Sequence, residues 1–336
     1  MCIYNQLNFS ILGADIFNNL MSNKLFLTLL CLFGSISLFA QTRGHEIAIQ
    51  TDNDGYLGQG SDRYYTNGIF LYYRKALKAD GDLQNKVLGF EIGQKMYNPQ
   101  SGYVPNASYI DRPFAAYSYI GSTLNFLYKN ESTIKLSAQL GIVGPAAGGE
   151  PIQRFIHNTF GFYALNGWQY QIKNNVELNL GAEYNKLLAR ASWIDVSLAS
   201  YANLGNGFTG AGVGPLIRLG NFNQLFNSVS TQSTVSAADQ TGLLHAHEIF
   251  FYYKPQINGV LYDATIQGPL FNKNNDPNSL EVTLNKKPFI FSNQVGVAFT
   301  TSRFTFDVAA ILHTKDAEQM LRSHQWASIT GAYRFK

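Results

Sequence analysis

Two groups of polar residues have the types and the spacing that chemistry requires. Gln153 and His157 stand four positions apart, in a stretch that Pro151 can open as a helix, so their side chains would share one face. A histidine changes charge near neutral pH and can serve as a general base. Taken alone, a histidine on a loop helix is more often solvated or structural than catalytic.

The second group is Thr-Asp-Asn-Asp at residues 51–54. Carboxylates and an amide at this density suit a hard cation such as Ca²⁺, which takes oxygen ligands. The spacing differs from that of an EF-hand, and a simple Asx-rich turn is the alternative. His245 and His247 form a further candidate metal pair, but no third ligand stands close to them in the sequence.

Familiar nucleophile signatures are missing from the sequence. It contains no G-x-S-x-G elbow, no H-E-x-x-H pair, no P-loop and no paired cysteines. If the protein is a hydrolase, water is therefore the expected nucleophile. One histidine would deprotonate the water, while a metal ion or amide groups would stabilise the oxyanion.

The composition indicates which elements must position these residues. Charged residues make up 14% of the 336 positions, against about 25% in an ordinary soluble domain. Aromatic residues also reach 14%, and beyond the first 40 residues no apolar run is long enough for a membrane-spanning helix. The net charge of +3 is small and spread out, which excludes a nucleic-acid-binding surface. This combination is typical of a transmembrane β-barrel.

Several segments alternate with period two, as strands with two unlike faces do. They include residues 123–129, 177–184, 304–310 and 329–335. Strands with their turns consume about 22–26 residues each, so the chain after position 40 predicts an all-β, antiparallel barrel of about 12 strands. Residues 144–170 interrupt the strands and predict a short helix in an extracellular loop, whereas residues 221–242 and 272–279 read as loops without obvious chemistry.

Residues 21–40 have the character of a secretory signal peptide, with Lys24 before an apolar stretch and cleavage predicted after Ala40. Residues 1–20 precede a second methionine, so either Met1 or Met21 is the true start. The two cysteines at positions 2 and 31 fall in the removed segment. The predicted product is a single barrel domain over residues 41–336, exported without disulfides to the bacterial outer membrane and acting as a monomer.

The ordered set of motifs resembles the outer-membrane lipid A 3′-O-deacylase family, which is LpxR-like. The motifs that carry this resemblance are T-D-N-D at 51–54, D-R-Y-Y-T-N-G at 62–68, G-Q-K-M-Y at 93–97, D-R-P at 111–113, G-x-V-G-P-A-A at 141–147, the Gln153/His157 pair, G-W-Q-Y-Q at 167–171 and H-Q-W-A-S-I at 324–329. The resemblance implies a 12-stranded barrel that removes the 3′-linked acyloxyacyl group from lipid A and requires Ca²⁺. The site would lie between the outer wall and the loop helix.

Position by position, the resemblance implies His157 as the general base and Asp54 as the Ca²⁺ ligand. Asn53 would lie beside the ion, and Asp52 is an additional candidate ligand. The residues that would complete the site around the ester and the charged head group are Thr66, Lys95 and Gln153.

Three other functions stay open at this point. A phospholipase-like barrel would act through a Ser–His pair, but Asn158 and Thr159 follow His157 without the H-x-S-N-G pattern of such enzymes. A barrel of the same fold could act on another lipid ester or have no activity. A pore would carry ionisable residues on many inward faces, and we expect the inward faces of this chain to be sparsely charged.

Overall fold

A computed structural model describes residues 43–58, 62–237, 242–271 and 276–336. The predicted signal peptide and its cleavage after Ala40 lie outside these residues. Within the described part, twelve antiparallel strands form one closed barrel, in which the first strand pairs with the last. The predicted fold class is therefore confirmed. No helix among the described residues is long and apolar enough to cross a membrane.

Each strand pairs with its neighbours in sequence, and closure joins His45 to Phe335 at one end and Asn53 to Ala327 at the other. The strands are β1 (His45–Asn53), β2 (Tyr64–Leu77), β3 (Leu83–Asn98), β4 (Ala115–Tyr128), β5 (Ser132–Val143), β6 (Asn175–Arg190), β7 (Ile194–Gly205), β8 (Phe208–Asn221), β9 (Glu248–Asp263), β10 (Phe289–Thr300), β11 (Phe304–His313) and β12 (His324–Phe335).

The outward faces of the strands carry exposed apolar side chains. Ile49 is 56% exposed and Leu71 52%, while their neighbours Ala48 and Phe70 are buried. Because successive side chains of a strand point to opposite faces, this alternation gives the wall an apolar outer surface. Such a surface matches a bilayer better than water.

The interior carries many charges, so the expectation of sparsely charged inward faces is wrong. Inside the barrel, Glu46 binds both Arg74 and Arg334, at 2.6 and 2.9 Å. Lys135 and Glu183 pair at 2.6 Å, although Glu183 stays half exposed. Composition reveals neither the face on which a charge lies nor its partner. Paired charges inside a barrel also differ from the free charges that line an aqueous channel.

Residues 222–237 fill the end of the barrel at which β1 begins and β12 ends. Val235 is fully buried and packs with the inward-facing Val87 and Leu127. The side-chain amide of Asn85 donates to the carbonyls of Ser233 and Val235. Rather than a simple loop, this segment is an internal plug, and its position disfavours an open pore.

Arg218 anchors the plug to the wall. Its guanidinium forms two bonds to the carboxylate of Asp195, at 2.6 and 2.9 Å, and also donates to Ser228 and to the carbonyl of Asn223. Both charged side chains are fully buried. Arg218→Ala leaves the Asp195 carboxylate with Arg190 alone, at 3.0 Å, so we expect the free energy of unfolding to fall by about 2–3 kcal/mol.

Urea unfolding in lipid vesicles measures this change. Arg154→Ala serves as the control, because Arg154 pairs with Glu150 on the protein surface and its loss should cost less than about 1 kcal/mol. Equal stability of the Arg218→Ala variant and the unmodified barrel would show that the plug is not held by this pair.

The opposite end of the barrel carries the longer connections, as the extracellular end of such barrels does. The predicted loop helix is present there as α1 (Gly149–Phe160), and a second, short helix is α2 (Ala264–Gln267). The start of α1 lies against the outer wall, where a Cβ at Gly149 would stand 2.5 Å from that of Ala116. Glycine permits this close approach, and α1 ends at Gly161 in the left-handed conformation.

Candidate active site on the outer wall

The carboxylate of Asp62 lies at the centre of a polar cluster between β2 and α1. Its Oδ2 is 2.6 Å from Nε2 of His157 and accepts from the Gln153 amide at 3.0 Å. The Tyr163 hydroxyl donates to the same oxygen at 3.1 Å. Ninety-five positions separate Asp62 from His157, so this cluster forms only in the folded barrel.

Both ring nitrogens of His157 are engaged. Nδ1 lies 2.8 Å from the carbonyl oxygen of Tyr163, which can only accept, so Nδ1 carries a proton. Nε2 is then the nitrogen that accepts or releases a proton, and its distance of 2.6 Å from Oδ2 of Asp62 means that one proton lies between these two atoms. The His157 side chain is 5% exposed and Asp62 is 21% exposed, so the pair lies at the edge of solvent. A base with a fixed tautomer beside a carboxylate is suited to activating water.

The packing of Trp168 fixes the orientation of Gln153. The fully buried indole donates from Nε1 to Oε1 of Gln153 at 2.8 Å. Because Oε1 accepts this bond, the amide nitrogen of Gln153 must face Asp62. Gln153 and His157 therefore lie on one face of α1, as their spacing predicts, and both are buried.

A β-bulge places Thr66 in the same cluster. Tyr65 pairs with Tyr97 and Asn67 with Met96, which leaves Thr66 without a partner on β3. A bulge of this kind turns a side chain away from its normal direction. The Thr66 hydroxyl lies 3.2 Å from an oxygen of Asp54 and 3.2 Å from an oxygen of Asp62, and its single proton serves one of them at a time.

Asp54 brings a second buried carboxylate to this place. Burial, with the nearby charge of Asp62, raises the pKa of Asp54 to about 7, although hydrogen bonds from the Arg63 amide and the Thr66 hydroxyl act in the opposite direction. The carboxylates of Asp54 and Asp62 with the Thr66 hydroxyl form an oxygen donor set that carries surplus negative charge. This donor set fits a hard divalent cation.

The other predicted site residues lie apart from this cluster. Asn53 accepts from the amide of Gly55 at 2.7 Å and shapes the turn that carries Asp54. Asp52 accepts from the Tyr65 hydroxyl and lines an interior cavity that Lys95 also lines. The structure therefore brings together His157, Gln153, Thr66 and Asp54, and it does not bring Asp52 or Lys95 to them.

An apolar groove runs along the outer wall directly below α1. Its volume is about 520 Å³, and the apolar side chains that line it include Ile69, Leu71, Ile92, Ile120, Leu140 and Ile152. Ile152 belongs to α1 and precedes Gln153, so the groove adjoins the polar cluster. Gln94 and Ser118 lie at the same place and both donate to the carbonyl of Ala147. An extended hydrocarbon chain suits such a groove.

Sequence reasoning missed three members of the cluster, although it quoted the motifs that contain two of them. Asp62 opens D-R-Y-Y-T-N-G and Trp168 lies in G-W-Q-Y-Q. Tyr163, the third, lies in the loop after α1, where no sequence pattern indicates its contact with Asp62. The scarcity of carboxylates was the available signal for Asp62, because a charge in a membrane barrel needs a structural or functional reason.

The chain is similar to known outer-membrane proteins. A family model described as outer membrane protein LpxR matches residues 25–335. The solved structure of LpxR from Salmonella typhimurium is 22% identical, and the match covers 86% of this chain and 100% of that chain with a TM-score of 0.69. The β domain of the Bordetella autotransporter BrkA matches at 10% identity, over 88% of this chain and 99% of that one, with a TM-score of 0.47. No curated protein sequence matches the chain.

Proposed function

This chain belongs to the LpxR family of outer-membrane proteins, and we propose that it is a lipid A deacylase. The proposal rests on this membership and on the polar cluster on the outer wall, which we call the wall site and which consists of Asp54, Asp62, Thr66, Gln153 and His157. The barrel lies in the bacterial outer membrane. Its proposed reaction is Ca²⁺-dependent hydrolysis of the ester that holds the 3′-linked acyloxyacyl chain of lipid A. One barrel contains all the residues of the wall cluster, so we propose that it acts as a monomer.

One observation carries this proposal: a histidine–carboxylate pair adjoins an apolar groove on the lipid-facing wall. His157 and Gln153 bind Asp62 from α1, and Ile152 of the same helix lines the groove. An acyl chain lying in the groove would bring its ester to the polar cluster. A lipid in the outer leaflet reaches such a site without leaving the membrane.

The chemistry follows from the tautomer of His157. With Nδ1–H bonded to the Tyr163 carbonyl and the proton between Nε2 and Asp62 released to solvent, Nε2 accepts the proton of a water molecule that lies between it and Asp62, and the resulting hydroxide attacks the ester carbonyl. The ring then carries protons on both nitrogens, and the Asp62 carboxylate stabilises the positive charge. As the alcohol leaves, His157 returns the proton to its oxygen.

Asp54, together with Asp62 and Thr66, would hold the cation. When bound, Ca²⁺ would supply Lewis-acid polarisation of the ester carbonyl. The surplus of negative charge at Asp54 and its neighbour supports this assignment. Asp52 and Lys95 are left out of the proposed catalytic set because they line the barrel interior.

We expect Asp54→Asn to weaken the dependence of activity on Ca²⁺. The amide keeps the shape of the side chain but removes its charge, so half-maximal activity should require at least about tenfold more Ca²⁺. Asp80→Asn is the matched control, since Asp80 is exposed in the β2–β3 turn. Unchanged Ca²⁺ titrations of the Asp54→Asn variant would remove this residue from the cation site.

Filling the apolar groove with a larger side chain should slow the reaction if an acyl chain binds there. Leu140→Trp would fill part of the groove, and we expect the kcat/KM for lipid A to fall by about tenfold or more. Leu261→Trp is the control, because Leu261 is an exposed, lipid-facing leucine on β9, away from the strands that form the groove. Equal losses in the two variants would argue against an acyl chain in this groove.

Mass spectrometry of the glycolipid tests the proposed function as a whole. The purified barrel with Ca²⁺ should release the 3′-acyloxyacyl group from lipid A and leave a phospholipid substrate intact. Cleavage of the phospholipid alone would favour the phospholipase-like alternative. In the described part of the chain, the hydrogen bonds of His157 run to Asp62 and to Tyr163, and none of them involves a serine.

A further inference from the structure

A second cluster of potential metal ligands lies inside the barrel near its extracellular end. His313 is the last residue of β11, Asp316 lies in the following loop, and His324 is the first residue of β12. One ligand atom from each of the three lies within 4.8 Å of the other two. We propose that this triad binds a divalent transition-metal ion such as Zn²⁺, independently of the wall site and its proposed function.

The distances within the triad suit a common ion. Nε2 of His324 is 2.9 Å from Oδ1 of Asp316, and Nδ1 of His313 is 3.8 Å from the same oxygen. Ligands that lie about 2.0–2.2 Å from one ion are themselves about 3–3.5 Å apart. Small side-chain movements would therefore convert the hydrogen-bonded triad into three ligands of one metal ion.

The imidazole of His324 is buried and only partly satisfied. The residue is 5% exposed, and its Nδ1 has no hydrogen-bond partner in the part of the chain that the structure describes. Tyr64 and Trp326 pack against the ring, so it is held in place. Because Nε2 faces Asp316, Nε2 is the nitrogen available to a metal ion, and the single ring proton would then lie on Nδ1.

The charges around the triad are compatible with a bound cation. Arg112 approaches Asp316 from the other side, with its Nε 3.7 Å from Oδ2, so that Oδ1 faces the two histidines. The adjoining cavity of about 360 Å³ is lined by Asp52 and Asp263 as well as by Lys95 and Arg112, so its three carboxylates, counting Asp316, outnumber its two basic side chains.

His313 gives an ion a route to the triad, since its side chain is 27% exposed and lines the same cavity. Two imidazoles with one carboxylate select transition metals, whereas Ca²⁺ prefers oxygen ligands. The interior site and the wall site therefore differ in the metals that they would bind.

Isothermal titration of the tag-free barrel with Zn²⁺, together with visible absorption after Co²⁺ addition, tests this proposal. We expect one Zn²⁺ ion per chain. His313→Gln and His324→Gln should each weaken its binding by about tenfold or more, because each removes a ligand. His247→Gln is the matched control, since His247 is exposed on the loop at the other end of the barrel. Asp54→Asn should also bind Zn²⁺ normally.

Heat-dependent migration in electrophoresis establishes that each variant is a folded barrel. If His324→Gln fails to fold, the partly exposed His313 decides the question, because its replacement disturbs less packing. Absence of Zn²⁺ binding, or binding that is unchanged in His313→Gln, would overturn the proposal. Loss of binding in His313→Gln with retention in His247→Gln would support it.

Discussion

Replacing His157 with alanine is expected to lower the rate of lipid A deacylation by about 10²–10⁴-fold. The imidazole is the only ionisable group that α1 brings to Asp62 among the described residues, and its Nε2 is the proposed proton acceptor. Alanine removes this acceptor, while the helix and the strand ladder keep their backbone hydrogen bonds. The loss should therefore appear in kcat, with the barrel still folded.

Asn158→Ala provides the control for this variant, because Asn158 is the exposed neighbour of His157 on the same helix. Its activity should equal that of the unmodified enzyme. Electrophoretic migration before and after heating reports the folding of both variants. Full activity of a folded His157→Ala barrel would refute the assignment of the base.

Asp62→Asn is expected to have the second-largest effect, a loss of about 10³-fold in kcat with little change in KM. The carboxylate accepts from Gln153, Tyr163 and Thr66 and lies 2.6 Å from Nε2 of His157, and an amide cannot replace it in all of these contacts. The amide nitrogen would instead donate to Nε2 of His157 and occupy the lone pair that water needs. It would also leave the imidazolium without its anionic partner.

Tyr163→Phe separates the contact of Asp62 with His157 from the hydrogen bond that Asp62 accepts from Tyr163. This variant removes one donor from Oδ2 but leaves the carboxylate and its contact with His157. We expect a loss of about tenfold or less, consistent with one hydrogen bond to a charged group. If Asp62→Asn and Tyr163→Phe lose the same small factor in steady-state kinetics, Asp62 has no special role beside His157.

The barrel could be predicted because strand alternation and composition are local properties. Residues 177–184 alternate in the sequence and lie in β6, and residues 304–310 lie in β11. The helix could be placed for a similar reason, since Pro151 and the spacing of Gln153 and His157 act within a few turns.

The pairing of Asp62 with His157 could not be predicted from the residues alone. It depends on the registers of the four strands β2 to β5 and on the bulge at Thr66, and no local sequence pattern reveals either. The different surroundings of Asp52 and Asp54, which are only two residues apart, could not be predicted either. The chain leaves the strand after Asn53, so Asp54 turns toward Asp62 while Asp52 stays inside the barrel.

The plug of residues 222–237 was the largest departure from the sequence prediction. Its serines, threonines and amides read as a solvated loop, yet they satisfy buried groups such as Arg218 and Glu248. A polar segment can occupy a barrel interior because the strands there present polar partners, which a composition count does not reveal.

The central claim, that the wall cluster hydrolyses the 3′ ester of lipid A, is tested most directly by mass spectrometry of lipid A after incubation with the purified barrel and Ca²⁺. We predict loss of mass equal to the 3′-acyloxyacyl group with the unmodified protein and no such loss with His157→Ala. Lipid A of unchanged mass after incubation with a folded, Ca²⁺-supplied barrel would contradict the claim.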